Sequence, residues 1–357
     1  METRINRYLR SDLVGFTGYS SARSSDQDGT IWLNANEAPD PNPVAPNARR
    51  YPDPQPRWLA TRLAHFYDVA PEQVLVGRGS DEGIDLLIRA TCHARQDAII
   101  VCPPTFGMYE VSATIHGAKT LKVPQSSYLS QVNIQWREIE EAARQHPVKL
   151  VFICRPGNPV GDSEPLRNLA DAAEALEGQA LLVVDEAYQE FSNERSAITL
   201  LDKHENIVVL RTLSKAFGLA GLRVGSVIAA PALIRALRAC QAPYPLPEPV
   251  IRAAMDALDP RSRPSVAGVI ANVVAERNRM TLALDNLPGV ELVYLSEANF
   301  LLVRFHDPDK ALAALSKAGI VVRDQRYHDE PFMKNAIRIT IGTPEENDQV
   351  LACLETL

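Results

Sequence analysis

The stretch IVVLRTLSKAFGLAGLRVGS, residues 207–226, begins with a β-branched run and then turns through polar and small residues into a second apolar run. The first run, 207–210, predicts a buried strand, and Lys215 lies in the turn that follows it. A lysine among small residues at the end of a strand can be desolvated, which lowers its pKa and leaves a neutral amine able to attack a carbonyl carbon. Farther along, Arg223 could hold a phosphate together with the hydroxyls of Thr212 and Ser214. A lone Ser-Lys pair after a strand is usually a solvated loop, so this interpretation depends on the rest of the chain.

Short apolar runs alternate with helical patterns from about residue 57 to residue 240. Runs that are apolar on both faces and separated by helices predict an α/β fold, with a mostly parallel central sheet covered by helices on both faces. Ligands of such sheets bind at the carboxyl ends of the strands. The runs are Val74–Val76, Ala98–Cys102, Leu150–Cys154, Ala180–Asp185, Ile207–Leu210 and Val224–Ala230.

The remainder of the chain predicts a smaller α+β domain. The proline-rich segment 242–247 indicates a hinge, and a long helical pattern follows it from about Val266 to Leu287. We therefore expect an N-terminal arm with part of the small domain over 1–45 and a large domain over 46–245. A hinge and connecting helix over 246–285 and a C-terminal small domain over 286–357 complete the prediction.

Composition narrows the class of function. The chain has 357 residues and a formal net charge of −7, which disfavours nucleic acids and anionic membranes as partners because both reward a basic surface. The five cysteines are scattered without a Cys-x-x-Cys pair, which is typical of free thiols in a reducing compartment. No pair of histidines has ligand spacing, so we expect no metal site. No apolar run approaches the roughly 20 residues of a membrane span, and we expect a cytoplasmic enzyme.

Two further predicted strands are followed by candidate ligand-binding residues. After Val74–Val76, a glycine-rich turn leads into a helix at Ser80 and Asp81, where free backbone N–H groups could bind a phosphate. Simple helix capping by Ser80 is the commoner explanation of such a turn. After Ala98–Cys102, Phe106 could stack on a planar ring, although core packing explains a lone aromatic residue as well.

Three more candidates follow the next two runs. Asn158, in Arg155-Pro156-Gly157-Asn158-Pro159-Val160-Gly161, could donate to a phenolate-type oxygen, although the stretch by itself is only a turn signal. Asp185 ends its strand and could keep a pyridine nitrogen protonated; a helix cap is the alternative. Tyr188 could then bind an oxygen on the same ring.

Together these pieces resemble one family. The order of phosphate turn, aromatic residue, Asn-Pro-x-Gly, Asp-x-x-Tyr and Ser-Lys with a trailing Arg is similar to that of the fold-type I aminotransferases, which depend on pyridoxal phosphate. Among them the chain most resembles the histidinol-phosphate aminotransferases, over almost its whole length. The most specific matches are Leu33–Glu37, Arg50–Pro52, Arg78–Gly83, Pro103–Tyr109, Thr212–Gly225, Ala242–Leu246, Val322–Gln325 and Ile337–Thr340.

The resemblance implies a role for each candidate residue. Lys215 would be the Schiff-base lysine, Asp185 the partner of the pyridinium nitrogen, and Tyr188 and Asn158 contacts of the ring oxygen. Phe106 would stack on the ring. The cofactor phosphate would be held by Thr212, Ser214, Arg223, the backbone of Ser80 and Asp81, and Tyr51 from the other subunit of a homodimer. The substrate pocket, for histidinol phosphate and for glutamate or 2-oxoglutarate, would contain Tyr19, Asn36, Arg323 and Arg338.

The chain departs from the family pattern at one motif. The usual Asn-Asn-Pro-Thr-Gly is replaced by Gly157-Asn158-Pro159-Val160-Gly161, and Arg155 adds a charge beside it. We expect the Asn158 contact to survive and the fine positioning to change. Three alternatives stay open: an aromatic amino-acid aminotransferase, a phosphothreonine decarboxylase of the same fold, and a non-enzymatic regulator that senses pyridoxal phosphate. The regulator would need a DNA-binding domain, and no basic N-terminal module is evident.

Overall fold

A computed structural model describes residues 4–19 and 30–355, which fold around two sheets and a small hairpin. The strands are β1 (Val74–Gly77), β2 (Ala98–Val101), β3 (Lys119–Lys122), β4 (Ser126–Tyr128), β5 (Gln131–Asn133), β6 (Val148–Cys154), β7 (Leu181–Asp185), β8 (Ile207–Thr212), β9 (Gly225–Ile228), β10 (Val290–Val293), β11 (Phe300–Phe305), β12 (Arg323–Asp324) and β13 (Ala336–Thr340). The α-helices are α1 (Arg57–Tyr67), α2 (Gly79–Thr91), α3 (Met108–His116), α4 (Trp136–Gln145), α5 (Leu166–Ala175), α6 (Pro231–Cys240), α7 (Glu248–Ala257), α8 (Arg263–Asp285), α9 (Pro308–Lys317) and α10 (Pro344–Leu354).

The central sheet has seven strands in the order β1-β9-β8-β7-β6-β2-β3. The five strands from β8 to β3 are parallel, whereas β9 runs antiparallel to both β8 and β1. The apolar run after Lys215 is therefore a strand, but it returns alongside β8 as a hairpin. The connection over residues 213–224 contains only one 3₁₀ turn, Ala220–Leu222, and no crossover helix of the kind that a parallel pair requires.

Successive side chains of the central strands point to opposite faces of the sheet, and the large domain therefore has two hydrophobic cores, one on each face. Val209 and Val184 face the core formed with α1, α5 and α7, while Val208 and Val183 face the opposite core, formed with α2, α3 and α6. Side chains of successive strand residues point to opposite faces of a sheet, so strands without polar positions need cover on both sides. This arrangement explains why β6 to β9 read as continuous apolar runs. The α/β fold class predicted from the sequence is confirmed.

The smaller sheet is antiparallel, in the order β10-β11-β13-β12, and packs against α8, α9 and α10. Helix α7 packs instead against α1, in one of the two large-domain cores. The domain boundaries given above stay a prediction. Within residues 4–19 and 30–355, none of the helices combines the length and apolar composition that crossing a membrane demands.

Candidate active site

A cavity of about 220 Å³ lies at the carboxyl ends of three neighbouring parallel strands, β6, β7 and β8. The last residues of these strands, Cys154, Asp185 and Thr212, all line it. The first turn of α2 closes another side. The lining residues are Ser80, Asp81, Phe106, Cys154, Asn158, Asp185, Ala187, Tyr188, Thr212, Ser214, Lys215 and Arg223.

Lys215 opens into this cavity from the loop that follows β8. Its burial, together with the positive charges of Arg338 and Arg223, lowers the pKa of the amine, while Asp81 and Asp185 oppose the shift. The Nζ atom lies 5.6 Å from the centroid of the Tyr188 ring. A larger fraction of the amine is therefore neutral near pH 7 than in a solvated lysine, as a nucleophile or base requires.

Asp185 also lines the cavity and is almost fully buried. Its Oδ2 accepts a hydrogen bond from the Tyr109 hydroxyl at 2.8 Å, and its Oδ1 accepts one from the Ala187 backbone N–H at 3.2 Å. Burial raises the pKa of Asp185 to about 6, and the hydrogen bond from Tyr109 acts in the opposite direction. A buried carboxylate of this kind is suited to pair with a protonated ring nitrogen.

The anion-binding end of the cavity is made by the start of α2 and by the β8–β9 hairpin. Gly79, at the first position of α2, has a positive φ of 77°. A Cβ on Gly225, in β9, would lie 2.4 Å from both the Gly79 carbonyl carbon and the Ser80 nitrogen, so the two backbones can approach this closely only with glycine there. Free N–H groups at the helix start therefore face the cavity beside the hairpin.

Arg223 supplies the positive charge at this end. Its guanidinium donates to Asp81 Oδ2 at 2.9 Å and to Ser214 Oγ at 3.2 Å. Thr212 Oγ1 donates to Ser214 Oγ at 3.0 Å, so the two hydroxyls and the guanidinium form one connected group. This combination of hydroxyls, a guanidinium and a helix N-terminus is typical of phosphate sites.

Asn158 links the cavity to the small sheet. Its side-chain oxygen accepts a hydrogen bond from Arg338, which lies on β13. The Arg338 guanidinium also rests on the Phe300 ring, 5.2 Å from its centroid. Arg338 is thereby held beside the cavity by one residue from each domain.

Besides Arg338, which lies next to the cavity through its contact with Asn158, four of the predicted residues do not line the cavity in the single chain. Tyr51 is half exposed and stacks on Tyr244, with ring centroids 4.6 Å apart. Tyr19 lines a separate cavity beside α6, and Asn36 is exposed. Arg323 is exposed on β12, where its guanidinium lies 5.7 Å from the Tyr327 ring centroid.

The unusual motif around Asn158 has a local explanation. A Cβ at Gly157 would lie 2.4 Å from Asp162 Oδ1, so the Asp162 carboxyl occupies the space that an asparagine side chain would need. Burial raises the pKa of Asp162 to about 7. Val160 packs in an apolar cluster with Tyr294 and other residues of the small sheet.

Arg155 points away from the cavity. It is fully buried and its Nη1 donates to Glu186 at 3.2 Å and to Gln189 at 3.1 Å. Arg211 donates to the same Glu186 at 3.1 Å. Cys154 lines the cavity and Arg155 follows it, so the arginine faces the opposite side of the sheet. Its charge is neutralised there and does not disturb the Asn158 turn.

The residues fit pyridoxal phosphate. The cavity has an anion-binding end, a buried carboxylate and a lysine with a lowered pKa, which match the phosphate, the ring nitrogen and the aldehyde of that cofactor. In the part of the chain that the structure describes, no group of three or more His, Cys, Asp or Glu side chains is placed to bind a metal ion.

Comparison with known proteins agrees with this geometry. The sequence pattern of the family "Aminotransferase class I and II" matches residues 31–354. The chain belongs to the class I and II aminotransferases. This membership confirms the expectations of an aminotransferase activity and of pyridoxal phosphate as cofactor.

Individual relatives of this aminotransferase have more specific names. It is 51% identical to a histidinol-phosphate aminotransferase of Stenotrophomonas maltophilia, over 97% of this chain and 95% of that one. It is 49% identical to one of Xylella fastidiosa, over 98% of this chain and 96% of that one. A crystal structure of the Sinorhizobium meliloti histidinol-phosphate aminotransferase with pyridoxal-5'-phosphate has a TM-score of 0.78 at 24% identity, covering 90% of this chain and 89% of that one. The resemblance noted in the sequence is confirmed.

Sequence reasoning overlooked three residues at this site: Tyr109, Cys154 and Ala187. Tyr109 stands three residues after Phe106 and enters the helix that follows the same turn. That position was a possible signal, but an aromatic residue at the start of a helix is far more often part of the core.

Proposed function

We propose that this aminotransferase transfers the amino group of L-histidinol phosphate to 2-oxoglutarate, giving imidazole acetol phosphate and glutamate, as a step of histidine biosynthesis. The observation that carries the proposal is the cavity in which Lys215, Asp185 and Arg223 meet. Relatives named for this reaction, at about half identity over nearly the whole chain, support the choice of substrate.

The chain's own residues would hold the cofactor at both ends. Arg223, Ser214, Thr212 and the N–H groups at the start of α2 would bind its phosphate. Asp185 would pair with the ring nitrogen, Asn158 and Tyr188 would contact the ring oxygen, and Phe106 would cover the ring face. When bound, pyridoxal phosphate supplies a conjugated ring that withdraws electrons from the substrate carbon.

Lys215 would move the proton. As a partly desolvated amine with a lowered pKa, its Nζ can accept a proton from the substrate α-carbon and later return it. Asp185, as a carboxylate, keeps the positive charge of the ring nitrogen in place during this transfer.

Arg338 would recognise the anionic group of each substrate. Histidinol phosphate has a phosphate and no α-carboxylate, whereas glutamate has two carboxylates. A guanidinium binds either group through paired hydrogen bonds. We place Arg323, Tyr19 and Asn36 in the same pocket, although they lie apart from it in the single chain.

A second subunit would complete the site. We propose a homodimer in which Tyr51 reaches the cofactor phosphate of the neighbouring subunit, because Tyr51 is half exposed and does not line the cavity of its own chain. The five free cysteines support a reducing location such as the cytoplasm.

A substrate comparison tests the proposal. The purified enzyme is given histidinol phosphate, phenylalanine or phosphothreonine, each with and without 2-oxoglutarate, and glutamate and carbon dioxide are measured. We expect glutamate from histidinol phosphate only when 2-oxoglutarate is present. A preference for phenylalanine would identify an aromatic aminotransferase, and carbon dioxide from phosphothreonine without 2-oxoglutarate would identify a decarboxylase; either result overturns the proposal.

A further inference from the structure

Tyr109 is a buried phenol that points its only polar atom at Asp185. It lies in the first turn of α3 with no exposed surface, and its ring stacks on Phe152 with centroids 4.7 Å apart and planes 14° apart. The rings of Tyr109 and Phe106 pack edge to face, with their centroids 5.7 Å apart. These rings fix the position of the phenol oxygen, and the hydroxyl donates to Asp185 Oδ2 at 2.8 Å.

Among the described residues, each oxygen of Asp185 accepts from one hydrogen-bond donor. Oδ2 accepts from Tyr109, and Oδ1 accepts from the Ala187 N–H at 3.2 Å. A carboxylate held at both oxygens keeps one orientation, and each hydrogen bond stabilises its charged form. The other ionisable groups around Asp185 are Cys154 on β6, Asp81 on α2, the adjacent Glu186, Tyr188 and Lys215.

We propose that Tyr109 is a positioning residue that keeps Asp185 ionised and directed at the ring nitrogen of the bound cofactor. The inference rests on the proposed function only in requiring that pyridoxal phosphate bind in this cavity. Without the hydroxyl, Asp185 becomes more basic and draws the proton away from the ring nitrogen. The ring of the bound cofactor would then carry less positive charge, and the Lys215 nitrogen beside it would hold its proton to a higher pH because a like charge would have been removed.

The test compares Tyr109→Phe with Tyr294→Phe. Tyr294 is also fully buried, but its hydroxyl has no hydrogen-bond partner among the described residues, so the control removes the same atom from a core without touching Asp185. The visible absorbance of each holoenzyme is titrated against pH without substrate, and kcat and KM are then measured.

For Tyr109→Phe we expect the midpoint of the absorbance titration to rise by about one pH unit, which corresponds to losing one hydrogen bond to a charged group. We expect kcat to fall about tenfold with a smaller change in KM. Tyr294→Phe should titrate like the wild type. An unchanged midpoint in Tyr109→Phe, or an equal shift in both variants, would overturn the inference.

Two further measurements keep the inference testable. In an Asp185→Asn background, Tyr109→Phe should not move the midpoint further, and an additional shift there contradicts the mechanism. If Tyr109→Phe does not fold, 3-fluorotyrosine at position 109 keeps the shape and donates more strongly, so the midpoint should fall; no shift overturns the inference. The titration uses no amino donor, so a failure of the substrate assay alone overturns the proposed function and leaves the role of Tyr109 standing.

Discussion

At the scale of single residues, Arg338 shows how the small sheet contributes to a cavity built by the large one. It donates to Asn158 and rests on the Phe300 ring, and this contact pair fixes its guanidinium beside Lys215. An arginine held in this way loses little side-chain freedom when it binds an anion.

We predict that Arg338→Ala lowers kcat/KM for histidinol phosphate by about 3 kcal/mol in transition-state free energy, because a buried charge pair with the substrate is lost. Steady-state kinetics measure this effect. Arg304→Ala is the matched control, since Arg304 lies on the neighbouring strand β11 and pairs with Glu291 away from the cavity. Equal kinetics in the two variants would rule out the assigned role.

Asp185 carries a cost in stability that depends on pH. Its pKa rises from 3.8 to about 6 on burial, which corresponds to about 3 kcal/mol. Well below pH 3.8 the carboxyl is protonated in both the folded and the unfolded protein, so this destabilisation is absent. As pH rises through about 6, the carboxyl ionises in the folded protein as well. Burial of this charge then lowers the free energy of unfolding by the full amount of about 3 kcal/mol.

We therefore predict that the Asp185→Asn apoprotein is more stable than the wild-type apoprotein at pH 8, by about 2 to 3 kcal/mol, and that the difference shrinks as pH falls toward 4. Urea unfolding at several pH values measures it. Asp202→Asn, in an exposed turn, should show no such gain. A gain that stayed constant across this range would contradict the pKa argument.

The sequence predicts that Lys215 and Asp185 lie at one edge of the sheet, because Asp185 ends an apolar run and Lys215 comes after another; both line one cavity, and their roles stay a prediction. It cannot distinguish Tyr109 from a core aromatic residue, because the burial of a phenol and its hydrogen bond depend on contacts with β6 and β7. Arg155 is a similar case. Its position in the sequence suggests a charge near the Asn158 turn. The structure shows instead that its side chain points away from this turn and forms a buried ion pair with Glu186.

At the scale of elements, the β8–β9 hairpin and the start of α2 come into close backbone contact at the end of the cavity where we propose that the cofactor phosphate binds. The sequence predicts both strands but not their antiparallel pairing, since apolar periodicity does not encode strand direction. It also passes over β3, whose sequence KTLK is partly exposed at the sheet edge. The capping box at the start of α10, in which Thr343 and Glu346 hydrogen-bond to each other's backbone N–H, depends by contrast only on local sequence.

The Gly225 contact gives a prediction at this scale. In Gly225→Ala, the new methyl group would push β9 away from Gly79 and Ser80, so we expect unfolding free energy to fall by about 1–3 kcal/mol and cofactor affinity to fall at least about tenfold. Gly221→Ala, in the loop that precedes β9, is the control, because a Cβ there would have no atom of the described residues within 4 Å. Thermal unfolding and cofactor titration measure both; equally tight binding in the two variants would exclude the close-contact argument.

At the scale of the whole molecule, the proposed homodimer makes its own prediction. If Tyr51 acts across the interface, mixing the inactive variants Tyr51→Ala and Lys215→Ala gives heterodimers in which one site carries both changes and the other carries none. Random mixing of equal amounts should then restore about one quarter of the wild-type activity. If Tyr51 served its own subunit, every heterodimer site would carry one change and mixing would restore nothing. Activity before and after subunit exchange distinguishes the two.

The residues that the single chain leaves outside the cavity belong to this same scale. Tyr51, Tyr19, Asn36 and Arg323 were assigned by resemblance to a family. Local sequence rules cannot place them, because they lie in arms and on an exposed strand whose neighbours are set by tertiary or quaternary contacts.

The β8–β9 hairpin gives Thr212, Ser214, Lys215 and Arg223 to the cavity from one continuous segment, whereas Arg338 arrives from a separate sheet. Under the proposed roles, retention of the coenzyme and choice of the amino donor would depend on different parts of the polypeptide. Substitutions in the small sheet can change donor preference during evolution while the coenzyme stays bound, which is a physical basis for the diversification of such enzymes on one fold.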